Sequence, residues 1–254
     1  MAAPGRHVEH VMGTVFSLDL RDPALAEGAV DEVVRWWHWV DEVFSTYRPE
    51  SRISRLGRGE ITLRECPQEV AEILDLCAEA GRRSGGWFSA MPGGSLDPSG
   101  MVKGWSVERA AAMLAAAGSG AHAVNGGGDV RCVGSAGPGT PWQIGIAHPL
   151  RPGELVAVVS GEDFAVATSG IAERGTHVLD PYTGRPADRL ASVSLVGEDL
   201  TWVDAYATAA LAMGPRCRDW ITRLDGIEGL VVDLEGGEWT SPGWASRTGD
   251  PAHR

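Results

Sequence analysis

The sequence predicts an α+β fold, a single domain of mixed sheet flanked by helices. Three observations predict it. The 254 residues are 43% hydrophobic and 22% charged, ordinary globular usage on a chain long enough for a substantial core. No internal repeat or low-complexity linker divides them. Amphipathic helical stretches and short β-rich runs follow one another in mixed order, without the regular alternation of a parallel α/β protein. The folded domain is expected over residues 8–238. Residues 239–254, rich in Ser, Pro, Gly and Thr, are expected to be a loosely held tail.

Taken in order, residues 12–21 (MGTVFSLDLR) alternate as a strand does. A helix follows, with Asp22 as its cap and Pro23 as its first residue. Val33, Trp36, Trp37, Val40 and Val43 recur along it at helical spacing. Trp36, Trp37 and Trp39 cannot all face one way, so the helix packs indoles into the core or offers some to a subunit interface. Residues 68–86 form a second helix, ended by Gly85 and Gly86. Residues 106–118 form a third, with Ser106 as N-cap and Gly118 as its stop. Strand-like runs at 122–134, 141–149, 155–160, 164–170 and 191–197 are separated by Gly and Pro turns. An Ala-rich helix at 201–214, a short helix from Arg218 and a strand at 229–234 complete the series.

Charge and composition exclude several classes. A net charge of −12 repels a phosphate backbone, which argues against nucleic acid as a partner. No apolar run approaches the roughly 20 residues of a membrane span. The first residues lack the basic and apolar regions of a secretory signal, so the expected location is cytoplasmic. Cys66, Cys77, Cys132 and Cys217 show no CxxC pairing, which weighs against zinc and disulfides and predicts reduced thiols.

The chemistry concentrates in four stretches. Lys103 is the only lysine in the chain, set in LDPSGMVKG between Gly100 and Gly104. Asp97–Gly100 reads as a turn before a helix, whose free N–H groups and positive dipole end would seat a phosphate beside the ammonium. VNGGGDVRCVG, residues 124–134, is a glycine cluster after a strand; it is either a close-approach ligand loop or a plain turn. Residues 167–188 gather Thr168, Ser169, Arg174, His177, Asp180 and Thr183, with His177 at a strand end where a general base could sit. Asp204 and Thr208 stand four apart on one helix face, a hard-oxygen pair suited to magnesium or calcium.

The order of MGTVFSLDL, FSTYRPESRISRL, SGGWF, LDPSGMVKG, VNGGGDVRCVG, ATSG, THVLDPYTGRP and VDAYATAALAMG resembles that of the ApbE family of FAD:protein FMN transferases. The resemblance implies a magnesium-dependent enzyme that splits FAD at its pyrophosphate. FMN passes through a phosphoester to a Thr or Ser hydroxyl of a target protein, and AMP is released. It implies FAD contacts at Met12, Tyr47, Trp87, Phe88, Asp97, Lys103 and Val178. It gives the metal the Gly100 and Ala207 carbonyls with the Asp204 and Thr208 side chains. His177, with Asp180 sharing the role, would deprotonate the acceptor, and Lys103 would act at the reacting centre. The alternatives are an FAD pyrophosphatase with water as acceptor and a non-catalytic FAD-binding protein. The chain departs from the family pattern at Ser89, where an Asp is usual, at Pro98 and Ser99, and in a shortened connection before Asp97, so that part of the FAD pocket wall is expected to be built differently.

Overall fold

The computed structural model describes residues 5–21, 28–171 and 178–248. Ten strands are described: β1 (Gly5–Val11), β2 (Thr14–Leu20), β3 (His122–Gly126), β4 (Asp129–Val133), β5 (Trp142–Ala147), β6 (Leu155–Gly161), β7 (Ala165–Gly170), β8 (Ser192–Gly197), β9 (Glu228–Val232) and β10 (Glu238–Thr240). Eight form one sheet in the order β1-β2-β3-β4-β7-β8-β9-β10, every neighbouring pair antiparallel. β5 and β6 form a separate ribbon. The helices are α1 (Ala29–Phe44), α2 (Arg52–Gly57), α3 (Gln68–Arg83), α4 (Ser99–Ala116), α5 (Leu200–Met213) and α6 (Cys217–Ile221). This is the α+β architecture the sequence predicts.

The sheet is buried on both faces because its strands alternate between two cores. Phe16, Leu18, Val124, Ala165, Ala167, Val193 and Val231 face the helices. Val130, Cys132, Val166, Val196, Leu230 and Val232 face the other way, against Trp142, Ile146 and Val159 of the ribbon and Trp244. α4 and α5 pack against each other and against the sheet. All of α5 is buried except Trp202 and Thr208, the signature of an interior helix. Its N-terminus is tied down twice. Asp199 accepts from the Thr201 N–H at 2.8 Å, and Glu108 of α4 accepts from the Leu200 N–H at 2.8 Å.

In several places the structure differs from the sequence-based expectation. The third helix begins at Ser99, not after Ser106; Ser106 lies inside it and donates its hydroxyl to the Lys103 carbonyl at 2.8 Å. Asp97, not Ser106, accepts from the first free N–H groups, at Ser99. Gly100, read as the end of a turn, lies like Gly104 inside the helix, with α5 packed onto both. β1 pairs along the whole of β2, and the Met12–Gly13 turn between them has left-handed backbone at both residues, φ 52° and 69°. The loosening expected from residue 239 is absent through Thr248. β10 pairs with β9, Ser241 donates to Glu228, Trp244 is buried, and the Ser160 N–H donates to the Arg247 carbonyl. The predicted cap Asp22 and first residue Pro23 lie outside the described residues.

Trp37 is fully buried against Phe16. Trp36 and Trp39 stack on each other half-buried, with Trp105 and the Arg109 guanidinium against Trp36. Trp36 thus has ring or guanidinium contacts from Trp39, Trp105 and Arg109, and both Trp36 and Trp39 keep part of their surface exposed. The four cysteines are free, and burial pushes the thiols of Cys77, Cys132 and Cys217 up to about 12. Among the described residues no helix is long and apolar enough to cross a membrane.

Candidate functional site

The site forms where α4 and α5 come closest. A Cβ built on Gly104 would stand 2.5 Å from the Leu200 carbonyl oxygen and 2.7 Å from Asp204 Cβ, so only glycine permits this approach. One turn earlier, a Cβ on Gly100 would meet Phe88 Cε2 at 3.3 Å and Thr208 Cγ2 at 3.4 Å. Glycines at i and i+4 of α4 therefore face Asp204 and Thr208 at i and i+4 of α5. The two motifs chosen from sequence lie against each other.

Asp204 is 3% exposed in an apolar helix, and a buried carboxylate there requires partners. Its Oδ2 accepts from the Gly104 N–H at 2.9 Å, and the Lys103 ammonium lies 3.4 Å from both its oxygens. The same ammonium makes a close ion pair with Oδ2 of Asp129, a residue 1% exposed. Asp129 Oδ1 accepts from the Thr168 N–H at 2.9 Å. Next along β7, the Ser169 hydroxyl lies 3.3 Å from Thr208 Oγ1 on the helix side.

Asp129 was missed in the sequence. It is the first residue of β4, directly after the Gly127–Gly128 turn with φ 60° and 95°. The glycine cluster is thus a tight hairpin turn, and its consequence for chemistry is to aim Asp129 at Lys103. The signal was present as an acidic residue following three glycines, but nothing local connects it to a lysine 26 positions upstream.

Two buried carboxylates share one ammonium, which leaves a net negative charge in a low-dielectric site. Among the described residues no group of three or more His, Cys, Asp or Glu is arranged to hold a metal. An ion here would rest on one or two carboxylates with hydroxyl and carbonyl oxygens. That donor set fits magnesium, which keeps several waters and takes few protein ligands.

The other predicted residues lie as follows. Phe88, 4% exposed, packs beside Gly100. Ala207 is fully buried on α5. Asp97 is half-buried at the start of α4, its own N–H donating to the Ala90 carbonyl at 2.8 Å. Trp87 is half-buried, edge-on to Tyr182 at 4.8 Å. Val178 is in the helix-side core. Asp180 is 8% exposed and engaged in its own loop: it accepts from the Tyr182 N–H at 2.9 Å and faces Arg189 at 3.6 Å. Met12 sits half-buried at the β1–β2 turn. Beside that turn, a cleft of about 460 Å³ opens among Gly13, Thr14, Ser17, Asn125 and Gly128. Tyr47 is 96% exposed. His177 and Arg174 lie outside the described residues. Ser89, at the departure from the family pattern, accepts from the Met91 N–H at 3.0 Å, holding the short connection before Asp97.

The ApbE family profile matches residues 12–94 and 89–231. The chain is 28% identical over 164 residues to the FAD:protein FMN transferase of Escherichia coli (strain K12), covering 59% of this chain and 47% of that protein. It is 24% identical over 252 residues to a protein of the same name from Klebsiella pneumoniae (strain 342), covering 92% and 69%. The match to the E. coli protein thus spans about half of that protein's length. Among solved structures, the ApbE protein of Thermotoga maritima superposes with a TM-score of 0.87 at 20% identity, over 98% of this chain and 100% of that one. The flavin transferase ApbE of Vibrio cholerae gives 0.83 at 22% identity, over 96% and 100%. At these identities the structural likeness concerns the fold.

Proposed function

The chain belongs to the ApbE family, and from that premise we propose that it is an FAD:protein FMN transferase. The observation that carries the reading is the buried Lys103–Asp129–Asp204 cluster against Gly100 and Thr208, inside the family-matched segment. It is a charged, hard-oxygen site between two helices that bury mostly apolar surface.

In this reading Asp97, Lys103, Met12, Tyr47, Trp87, Phe88 and Val178 bind FAD. Asp204 and Thr208, with the Gly100 and Ala207 carbonyls, would hold magnesium, which would supply charge neutralisation at the pyrophosphate. The acceptor Thr or Ser oxygen attacks the FMN-side phosphorus of FAD, and its proton passes to His177, with Asp180 orienting the loop. A phosphorus–oxygen bond to protein forms, the bond to the AMP phosphate breaks, and AMP leaves. Lys103 holds Asp204 and Asp129 in place and sets its ammonium beside the charge that develops on the leaving phosphate. The packed α4–α5 contact keeps these groups from reorganising during the reaction. The enzyme acts in the cytoplasm on a protein partner, without nucleic acid or membrane.

The test is chromatography of AMP and FMN released from FAD, with magnesium and with EDTA, in the presence and absence of a cytosolic extract, followed by in-gel flavin fluorescence. Magnesium-dependent AMP together with a fluorescent protein band is the expected result. AMP with free FMN and no band would replace the transferase with a hydrolase, and bound FAD without AMP would reduce the protein to a flavin binder.

A further inference from the structure

The chain carries a net charge of −12, yet four arginines converge on one groove. The groove, about 480 Å³, is lined by Arg82, Arg83, Trp87, Arg216, Trp220 and Arg223 at the junction of α3, α5 and α6. Glu79 pairs with both Arg82 and Arg83, the latter at 2.6 Å. Among the described residues neither Arg216 nor Arg223 has a carboxylate within ion-pair distance. The groove thus holds four guanidiniums against one carboxylate.

Two of the guanidiniums lie over aromatic rings, and for Arg216 the ring stands in place of a counter-charge. Arg216 lies over Trp87 at 4.8 Å and Arg83 over Trp202 at 4.6 Å. The Trp220 indole donates to the Arg83 carbonyl at 3.3 Å and stands edge-on to Tyr206. Stacking fixes the position of a guanidinium while leaving its charge and its donors free. Like charges in one groove repel one another where no counter-charge offsets them. A ligand bearing carboxylates would remove that repulsion.

The groove's wall is next in sequence to a residue of the candidate site. Trp87 forms its wall, and the next residue, Phe88, packs against Gly100 of α4. Tyr182, edge-on to Trp87 and donating to the Gly85 carbonyl, belongs to the loop that carries Asp180. The four arginines are exposed along an open groove, whereas a small-molecule site encloses most of its ligand. An extended peptide with several carboxylates matches this layout. We propose that the groove docks an acidic segment of the acceptor protein, next to the hydroxyl that receives FMN. This rests on the transferase reading.

The probe is a fluorescein-labelled peptide of alternating Glu and Gly, with its Gln counterpart as control, followed by anisotropy at low salt. The acidic peptide is expected to bind the wild-type protein and the Gln peptide is not. Arg216→Ala/Arg223→Ala should weaken binding about ten-fold, and the exposed, partner-free Arg223→Glu alone should weaken it measurably. Arg35→Ala/Arg151→Ala removes the same charge elsewhere and should leave binding unchanged. Equal weakening by the two double variants, absence of acidic-peptide binding, or oligodeoxythymidylate competing on equal terms would overturn the proposal. FAD binding, followed by flavin fluorescence in the same proteins, should be unaffected by both double variants. Absence of FAD cleavage in every protein, with groove-dependent peptide binding intact, would overturn the transferase reading and leave the acidic-segment site standing.

Discussion

Replacing Gly104 by alanine tests whether glycine sets the approach of α4 to α5. In an exposed helix the change would stabilise by about 1 kcal/mol through propensity alone. Here the new Cβ would lie 2.5 Å from the Leu200 carbonyl oxygen and 2.7 Å from Asp204 Cβ. Neither neighbour is the free end of a side chain, so the helices must separate by roughly 1 Å to reach ordinary contact distances. Separation overpacks a buried interface, at about 1–3 kcal/mol. It also stretches the 2.9 Å bond from Gly104 N–H to Asp204, a charge-assisted bond worth about 1.5–3 kcal/mol. After the propensity gain, the expected destabilisation is about 2–4 kcal/mol, or roughly 4–16 °C in Tm for a chain of this size. Urea and thermal unfolding measure it. Gly100→Ala is the control: its Cβ would meet only side-chain atoms, at 3.3 and 3.4 Å, and its stability should stay within about 1 kcal/mol of wild type. A Gly104→Ala protein as stable as Gly100→Ala would refute the reasoning.

Three further outcomes are expected. Lys103→Gln strands two buried carboxylates; because the lysine side chain is 23% exposed, the loss should be about 2 kcal/mol, below that for a fully buried pair. Adding Asp129→Asn should restore part of it in urea unfolding, and a double variant no more stable than Lys103→Gln would count against the ion cluster. His122 is fully buried, with Nδ1 2.9 Å from the Ser119 hydroxyl and Nε2 3.1 Å from the Ala111 carbonyl, and burial holds its pKa below the usual 6.5. The unfolded chain then binds the proton first, so stability present above about pH 6.5 is lost as pH falls below it. His122→Gln should flatten that part of the stability profile, and an unchanged slope would contradict the assignment. In native protein at pH 8, a thiol reagent should modify Cys66 alone, since Cys77, Cys132 and Cys217 are buried with thiols near 12; modification of all four before unfolding would show the cores to be open.

What was legible in the sequence follows from how each element is buried. α1 and α3 each bury one face, so their apolar spacing identified them. α5 is buried nearly all round and α4 is buried on several sides along its first half, and their small residues carry no such period. The start of α4 was misread because Asp97–Gly100 has turn character locally. β1 and β10 escaped notice because each is an edge strand whose side chains stay largely exposed. Asp204, Thr208, Gly100 and Lys103 were singled out in the sequence, and the structure brings all four together. Asp129 was not, because a hairpin turn delivers it to Lys103. Tyr47 stands apart, at 96% exposure, and motif order alone carried no information about that.

Why the chain's single lysine stands at this position has an answer in the hydrogen bonds. Each carboxylate of the cluster already has a backbone donor: the Thr168 N–H reaches Asp129 Oδ1, and the Gly104 N–H reaches Asp204 Oδ2. A guanidinium fork is suited to both oxygens of one carboxylate side by side, and here neither carboxylate offers a free pair. A compact ammonium with three rotatable donors can stand between two carboxylates and use what each has left. Arginine serves everywhere else on this chain, including the groove beside Trp87, where stacking makes its plane an advantage. At Lys103 the geometry calls for a point charge, and one such charge against two buried carboxylates leaves the site electrostatically incomplete in the sense that a divalent cation would correct.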